Sequence, residues 1–255
     1  MNDPSLSNIS VILVEPQSPG NIGMVCRAMA NFGVTDLRLV KPCQHLHPEA
    51  RKFAVAANHL LGQARLFEDL PSAINDLHLT IATTRRQGRL RGELVDISKI
   101  PGLFQSLDSA QKLGIVFGRE DSGLTSDEVA MCSHASTVTT STEVGSLNLA
   151  QAVLLFLYEL SRNTSEQNPT SGATPTLGEF EGLFDHIEQI LSKTAFLNPS
   201  RPDAVMNRIR KMLHRSRPDR EDLSLLRGIC SQIDWSLHEW KGRKRGGNSN
   251  GPQSG

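Results

Sequence analysis

The chain is short of aromatic residues, paired cysteines and long apolar runs, and each shortage removes a class of protein. Aromatics make up 5% of the 255 residues, with one Tyr and two Trp, so any core must be mostly aliphatic. Cys26, Cys43, Cys132 and Cys230 are scattered, with no C-x-x-C pair and no His at metal-ligand spacing. That excludes a zinc module or a disulfide framework and leaves free thiols, as expected of a cytoplasmic protein without a metal. The longest apolar run, Leu147 to Leu160, is broken by Asn148, Gln151 and Glu159, too short for a bilayer and suited to a buried helix. Met1 to Ser5 contains no basic stretch leading into an apolar one, so neither a secretory signal nor a membrane association is expected. No G-x-G-x-x-G follows the first strand-like run, which removes a dinucleotide-binding dehydrogenase.

Net charge is also lacking, with 27 basic and 27 acidic residues, but the balance conceals an asymmetry. Residues 1–200 hold 15 Lys/Arg against 21 Asp/Glu, whereas residues 201–245 hold 12 against 6. A basic end on an acidic body suits contact with nucleic-acid phosphates, and equally a solvated helical face with a charged tail.

What is present is alternation. Val11 to Val14, Leu37 to Val40, Leu79 to Ala82, Gly114 to Phe117 and Thr137 to Thr140 read as strands. Between them, helices are expected over Asn21 to Phe32 (Asn21 as N-cap, Gly33 as stop), from Pro48, over Ser126 to Met131, and over Leu147 to Arg162. Such alternation implies an α/β fold, a mainly parallel sheet with helices on both faces. This body is assigned to residues 1–164. Residues 165–176, polar with two prolines, read as a linker. Residues 177–245 carry helical periodicity over Leu177–Lys193, Ala204–His214 and Arg220–Trp240, a small C-terminal helical extension, and 246–255 is Gly/Asn/Ser-rich and reads as a disordered tail.

Chemistry concentrates where strand-like runs give way to helix-like runs, the place where open α/β sheets hold ligands. In the first such segment, Asn21 to Arg27, helical spacing puts Gly20, Gly23, Met24 and Arg27 on one face. Arg27 would lean over Gly23, where backbone lies open to a phosphate or ribose; a surface ion pair is the plain alternative. The second, Gly118 to Gly123, has a phosphate-loop outline, but Leu124 stands where a P-loop needs Lys. It remains a glycine-bounded turn carrying Arg119, Glu120 and Asp121, either functional or merely solvated. In the third, Thr137 to Ala152, hydroxyls at Thr139 to Thr142 precede Asn148, a polar residue at the first turn of an apolar helix, where a cap would also explain it. Finally, Arg85, Arg86, Arg89 and Arg91 cluster after a strand, suiting RNA phosphate or simple solvation.

Together, Asn21 to Arg27, Ile115 to Leu124 and Ser146 to Ala152, in this order, resemble the SPOUT superfamily of knotted RNA methyltransferases, in its TrmH-like 2′-O-ribose branch. Val34 to Pro42, Ile81 to Arg86, Phe117 to Thr125 and the late Met206 to Ile229 are most similar to the TrmJ-type tRNA methyltransferases. Thr139 and Thr140, where many TrmH-like proteins have a proline, favour that branch. The resemblance implies a trefoil-knotted sheet, a homodimer, S-adenosylmethionine as cofactor, and tRNA methylated at anticodon-loop position 32. Ribosomal RNA as substrate and a non-catalytic RNA-binding protein are the other readings. It further implies catalytic roles for Arg27, Asn21, Glu120 and Asn148. Cofactor contacts would come from Thr83, Phe117, Gly118, Gly123, Val138, Thr139, Thr140, Ser146, Leu147 and Asn148, and RNA contacts from Arg85, Arg86 and Arg119.

Overall fold

A computed structural model describes residues 6–84, 94–105, 111–140, 146–162, 174–197, 202–216 and 218–237. The body runs β1 (Ile9–Val14), α1 (Pro19–Asn31), β2 (Asp36–Val40), α2 (Pro48–Ala54), α3 (Asn58–Gln63), β3 (Arg65–Phe67), α4 (Leu70–Ile74), β4 (Leu79–Thr83), β5 (Leu94–Asp96), α5 (Ile100–Gln105), β6 (Leu113–Phe117), α6 (Ser126–Met131), β7 (His134–Thr137) and α7 (Leu149–Arg162). The extension is α8 (Leu177–Lys193), α9 (Pro202–Ser216) and α10 (Arg220–Leu237). Among the described residues the sheet has seven strands in the order β3-β2-β1-β6-β4-β7-β5, every pairing parallel.

Strand alternation sorts the core into two layers. From β1, Val11 and Leu13 point into a cluster with α1, α2, α3 and α7, while Ile12 and Val14 point into a second with α4 and α6. All six residues of β1 are buried, because helices cover both of its faces. Arg38 of β2 is fully buried as well. Its guanidinium bonds Asp36 at 2.8 Å, the carbonyl of Ala73 at 2.7 Å, and Asp76. Burial works against the Asp76 charge, but hydrogen bonds and charge from Arg38, with Lys112, overcome it and hold the carboxyl down at about 2.

Two expectations shift. Helix α1 starts at Pro19 with Ser18 as its cap, the Ser18 hydroxyl accepting from the Asn21 amide at 3.3 Å. Asn21 therefore sits within the first turn, and its side chain is released from capping. Gly23 does not leave open backbone beside Arg27. A Cβ there would lie 2.1 Å from the Ala50 carbonyl oxygen, so Gly23 is the point of closest approach of α1 to α2.

The last expected strand also moves, to His134–Thr137, leaving Val138, Thr139 and Thr140 in the loop beyond it. That connection includes residues 141–145, which lie outside the described residues, as do 85–93 with Arg85 and Arg86, most of the expected linker, and the tail. Thr176, at the linker's expected end, is already the cap of α8, in a reciprocal box with Glu179. The helix docks on the body through the Leu177 and Gly178 amides, which donate to Leu77 and Asn75 carbonyls at 2.8 and 3.1 Å. Behind it, a small core gathers Phe180, Leu183 and Phe184 with Met206 and Leu223.

Candidate active site

The carboxyl ends of β4, β6 and β7 open into one cleft, closed on its far side by the start of α7. Its walls include Thr83, Phe117, Gly118, Gly123, Val138, Thr140, Ser146 and Leu147. The turn after β6 folds sharply back on itself: the Gly123 amide donates to the Arg119 carbonyl at 2.9 Å, with Gly123 at φ +71°. A Cβ on Gly118 would lie 2.2 Å from the Gly123 carbonyl carbon, so only glycine fits there. Thr83 is held by its hydroxyl donating to the Val116 carbonyl at 3.0 Å.

Beside this cleft, the three motif segments meet through side chains. Glu120 accepts from the backbone amides of Gln17 at 2.8 Å and Ser18 at 3.1 Å, and from Asn21 Nδ2 at 3.0 Å. The Asn21 Oδ1 in turn accepts from Asn148 Nδ2 at 2.9 Å. Asn148 also caps α7, its Oδ1 accepting from the Ala150 amide at 2.9 Å. The plain reading of Asn148 as a cap thus holds, while the same side chain also reaches Asn21 of α1. The resulting chain Asn148–Asn21–Glu120 fixes the orientation of both amides.

Other residues lie elsewhere than expected. Arg119, expected to contact RNA phosphate, is engaged within the body. Its guanidinium bonds Glu15 at 2.9 Å and both oxygens of Glu128 at 3.0 Å. The Glu128 and Glu15 hydrogen bonds raise its pKa further, and Arg119 in return lowers that of Glu15. Arg119 is therefore a clamp joining the end of β1, where Glu15 adopts φ +47°, to the start of α6. Thr139 does not line the cleft; it hydrogen-bonds Asp96 instead. Asn148 is exposed and does not line the cleft. Arg27 is exposed on α1, outside the cleft wall, with no ion pair or hydrogen bond among the described residues. Sequence reading missed Ser136 and Phe156 of the wall; Phe156 meets Phe117 edge-to-face at 5.6 Å. The periodicity of α7 marks Phe156 as core, but nothing local marks Ser136.

Comparison with known proteins finds matches along nearly the whole chain. Residues 8–158 match the model of the SpoU rRNA methylase family, and residues 178–245 that of the C-terminal domain of tRNA methyltransferase TrmJ. A Cronobacter sakazakii protein named tRNA (cytidine/uridine-2′-O-)-methyltransferase TrmJ is 34% identical over 242 residues, covering 92% of this chain and 99% of its own. The crystal structure of TrmJ from Z. mobilis ZM4 superposes with a TM-score of 0.77 at 33% identity, covering 88% of this chain and 98% of that one. A methylase family protein from Haemophilus influenzae Rd KW20 gives a TM-score of 0.60 at 28% identity, over 91% and 98% of the two chains. With a cleft at the strand ends and this coverage, the chain belongs to the SpoU methylase family and, within it, to the TrmJ group.

Proposed function

We propose that this protein methylates the ribose 2′-oxygen of tRNA, at anticodon-loop position 32, using S-adenosylmethionine. The observation that carries the reading is the Asn148–Asn21–Glu120 chain beside the cleft, in a protein whose relatives along its full length are named tRNA 2′-O-methyltransferases.

The cleft suits the cofactor in its chemistry. Gly118 and Gly123 bring bare backbone to its edge, and Ser136 on its wall keeps a buried hydroxyl without a hydrogen-bond partner among the described residues. Thr83, Phe117, Val138, Thr140, Ser146 and Leu147 would enclose it, and when bound it supplies an electrophilic methyl group. The protein's own task is to orient a 2′-hydroxyl and manage its proton. Arg27, exposed and unpaired among the described residues, is free to meet an incoming ribose–phosphate. A guanidinium stays protonated, so Arg27 orients the hydroxyl and stabilises the developing alkoxide while substrate phosphate or water accepts the proton. Asn21, locked between Glu120 and Asn148, holds the start of α1 in the position this requires.

Arg85 and Arg86 grip tRNA phosphate in this reading, with the basic extension adding contacts. A homodimer is part of the same proposal, supported by Leu154, Leu155 and Tyr158 exposed along α7. So is a cytoplasmic location. The free Cys26 and Cys132 thiols fit it: burial pushes both up to about 12, leaving them inert. No helix among the described residues is long and apolar enough to cross a membrane. The division into a methyltransferase body (1–164) and a helical extension (177–245) that binds RNA or dimerises also belongs to the proposal.

The test is methyl transfer from labelled S-adenosylmethionine to unmodified tRNA transcripts. Transfer is expected, and Arg27→Ala is expected to lower turnover about a hundredfold or more while cofactor binding persists. Transfer to ribosomal RNA alone would move the substrate; near-normal activity of Arg27→Ala would remove its catalytic role.

A further inference from the structure

The wall of the cleft after β6 is stitched to the rest of the body by two neighbouring side chains. Glu120 holds the amides of Gln17 and Ser18, in the segment between β1 and α1. Arg119, just before it, reaches further in both directions. Its Nε donates to Glu15 at 2.9 Å, at the head of the same segment, and its two terminal nitrogens donate to both oxygens of Glu128 at 3.0 Å. Across its own turn, Nη1 also donates to the Gly123 carbonyl at 3.4 Å. Every nitrogen of the guanidinium is engaged, and one side chain spans the end of β1, the turn and the start of α6.

The groups it joins are themselves held firmly. Glu128 is fixed by its capping box: its Oε2 accepts from the Thr125 amide at 2.7 Å, while its own amide donates to the Thr125 hydroxyl at 3.1 Å. Glu15 sits at φ +47°, a conformation that is costly for a residue with a side chain and persists only where its surroundings enforce it. The Arg119 and Glu128 side chains are 16% and 15% exposed, so solvent screens their pairing less than that of surface ions. Residues 118–123 line the cleft, and Glu15 leads into α1, which carries Asn21 and Arg27. The clamp therefore sets where the cleft wall stands relative to that helix.

On the reading of this cleft as the cofactor site, we propose that Arg119 is a positioning residue for methyl transfer: by tying Glu15 to Glu128, it holds the Gly118–Gly123 wall at the spacing that S-adenosylmethionine requires. Its side chain acts through that wall and not on RNA phosphate. Lysine carries the same charge on a single nitrogen and cannot replace the fork.

Arg119→Lys therefore separates the two roles. In the full-length protein, calorimetric titration with S-adenosylhomocysteine is expected to show about tenfold weaker binding to Arg119→Lys than to the unaltered chain, with the number of sites per chain unchanged. Glu128→Gln, which keeps the capping box, is expected to weaken binding to a similar degree. The two changes together should cost less than the product of their single effects, because they remove one interaction. In Arg119→Gln, which lacks the charge, tRNA binding is expected to keep its affinity and its salt dependence. Unaltered cofactor affinity in Arg119→Lys, or full multiplication of the paired effects, would overturn the proposal. So would fewer competent sites at undiminished affinity, the mark of a side chain that only stabilises the fold. Weaker tRNA binding with a shallower salt dependence in Arg119→Gln would return the side chain to RNA phosphate. An unaltered chain that binds no S-adenosylhomocysteine would overturn the cofactor site itself, and this role with it.

Discussion

Strand β1 and helix α10 handle apolar residues in opposite ways. Every residue of β1 is buried between two helical layers. On α10, Leu223 and Cys230 are buried, while Leu225, Ile229 and Ile233, one helical stripe, stay exposed. The same contrast holds for ionisable groups. The body buries Arg38 with two carboxylates to match it. The extension buries His214 between Phe180 and Phe184, at 4.9 and 5.7 Å, with no carboxylate bonded to it among the described residues. The body is thus closed and compensated, whereas the extension is a thin core that meets the body through α8 and α9. Its stability is therefore expected to be the more easily lost, with the cleft left in place.

The largest separation is expected from Phe184→Ala. Loss of a buried Phe costs about 3–5 kcal/mol, and this one sits in a core of seven buried residues among those described. Amide exchange in α8, α9 and α10 is expected to rise steeply while β1 and β6 keep their protection. Simultaneous loss of protection in both regions would mean that they fold as one unit.

Acid is expected to separate them next. Burial, followed by the nearby His134 and Arg210 charges, lowers His214 from 6.5 to about 4. Its neutral form is thus favoured in the folded state, so the stability it contributes is full above 6.5 and is lost as pH falls towards 4. With His214 only 7% exposed, the loss is about 3 kcal/mol. Asp76 of the body, lowered to about 2, keeps its contribution until pH falls below its ordinary value of 3.8. Circular dichroism and exchange between pH 7 and 4 should therefore show the extension failing first, and His214→Phe should flatten that window.

The smallest contrast lies in two capping boxes. Thr125 with Glu128 opens α6, and Thr176 with Glu179 opens α8. Each Thr→Ala change is expected to cost about 1 kcal/mol. In Thr125→Ala the cost falls on the global melting temperature, whereas in Thr176→Ala it appears as local opening of α8. Equal effects on both elements would erase the distinction.

How far the sequence reaches follows from the range of each interaction. Strands β1 and β6 and helices α7 and α8 are visible in local periodicity, because each buries a face whose pattern lies within one segment. Strand β7 was misplaced by a few residues, since His134 to Thr137 carry no apolar run and pair only through distant β4 and β5. β3, with two of three residues exposed, gives no signal at all. Gly23 was misread because the neighbour that requires it, Ala50, comes from another helix. In the site, the residue types at Asn21, Glu120 and Asn148 stood out through the family resemblance. Their contacts span 99 and 127 residues, a separation at which spacing carries no geometry. The engagement of Arg119 likewise needed Glu15, 104 residues away.

The most direct measurement uses a tRNA transcript carrying a single 2′-deoxynucleotide at position 32, incubated with enzyme and labelled S-adenosylmethionine beside the unmodified transcript. Label is expected on the unmodified transcript, mapped to ribose 32, and none on the deoxy substrate, although it still binds. Equal labelling of the two transcripts would contradict methylation of that 2′-oxygen.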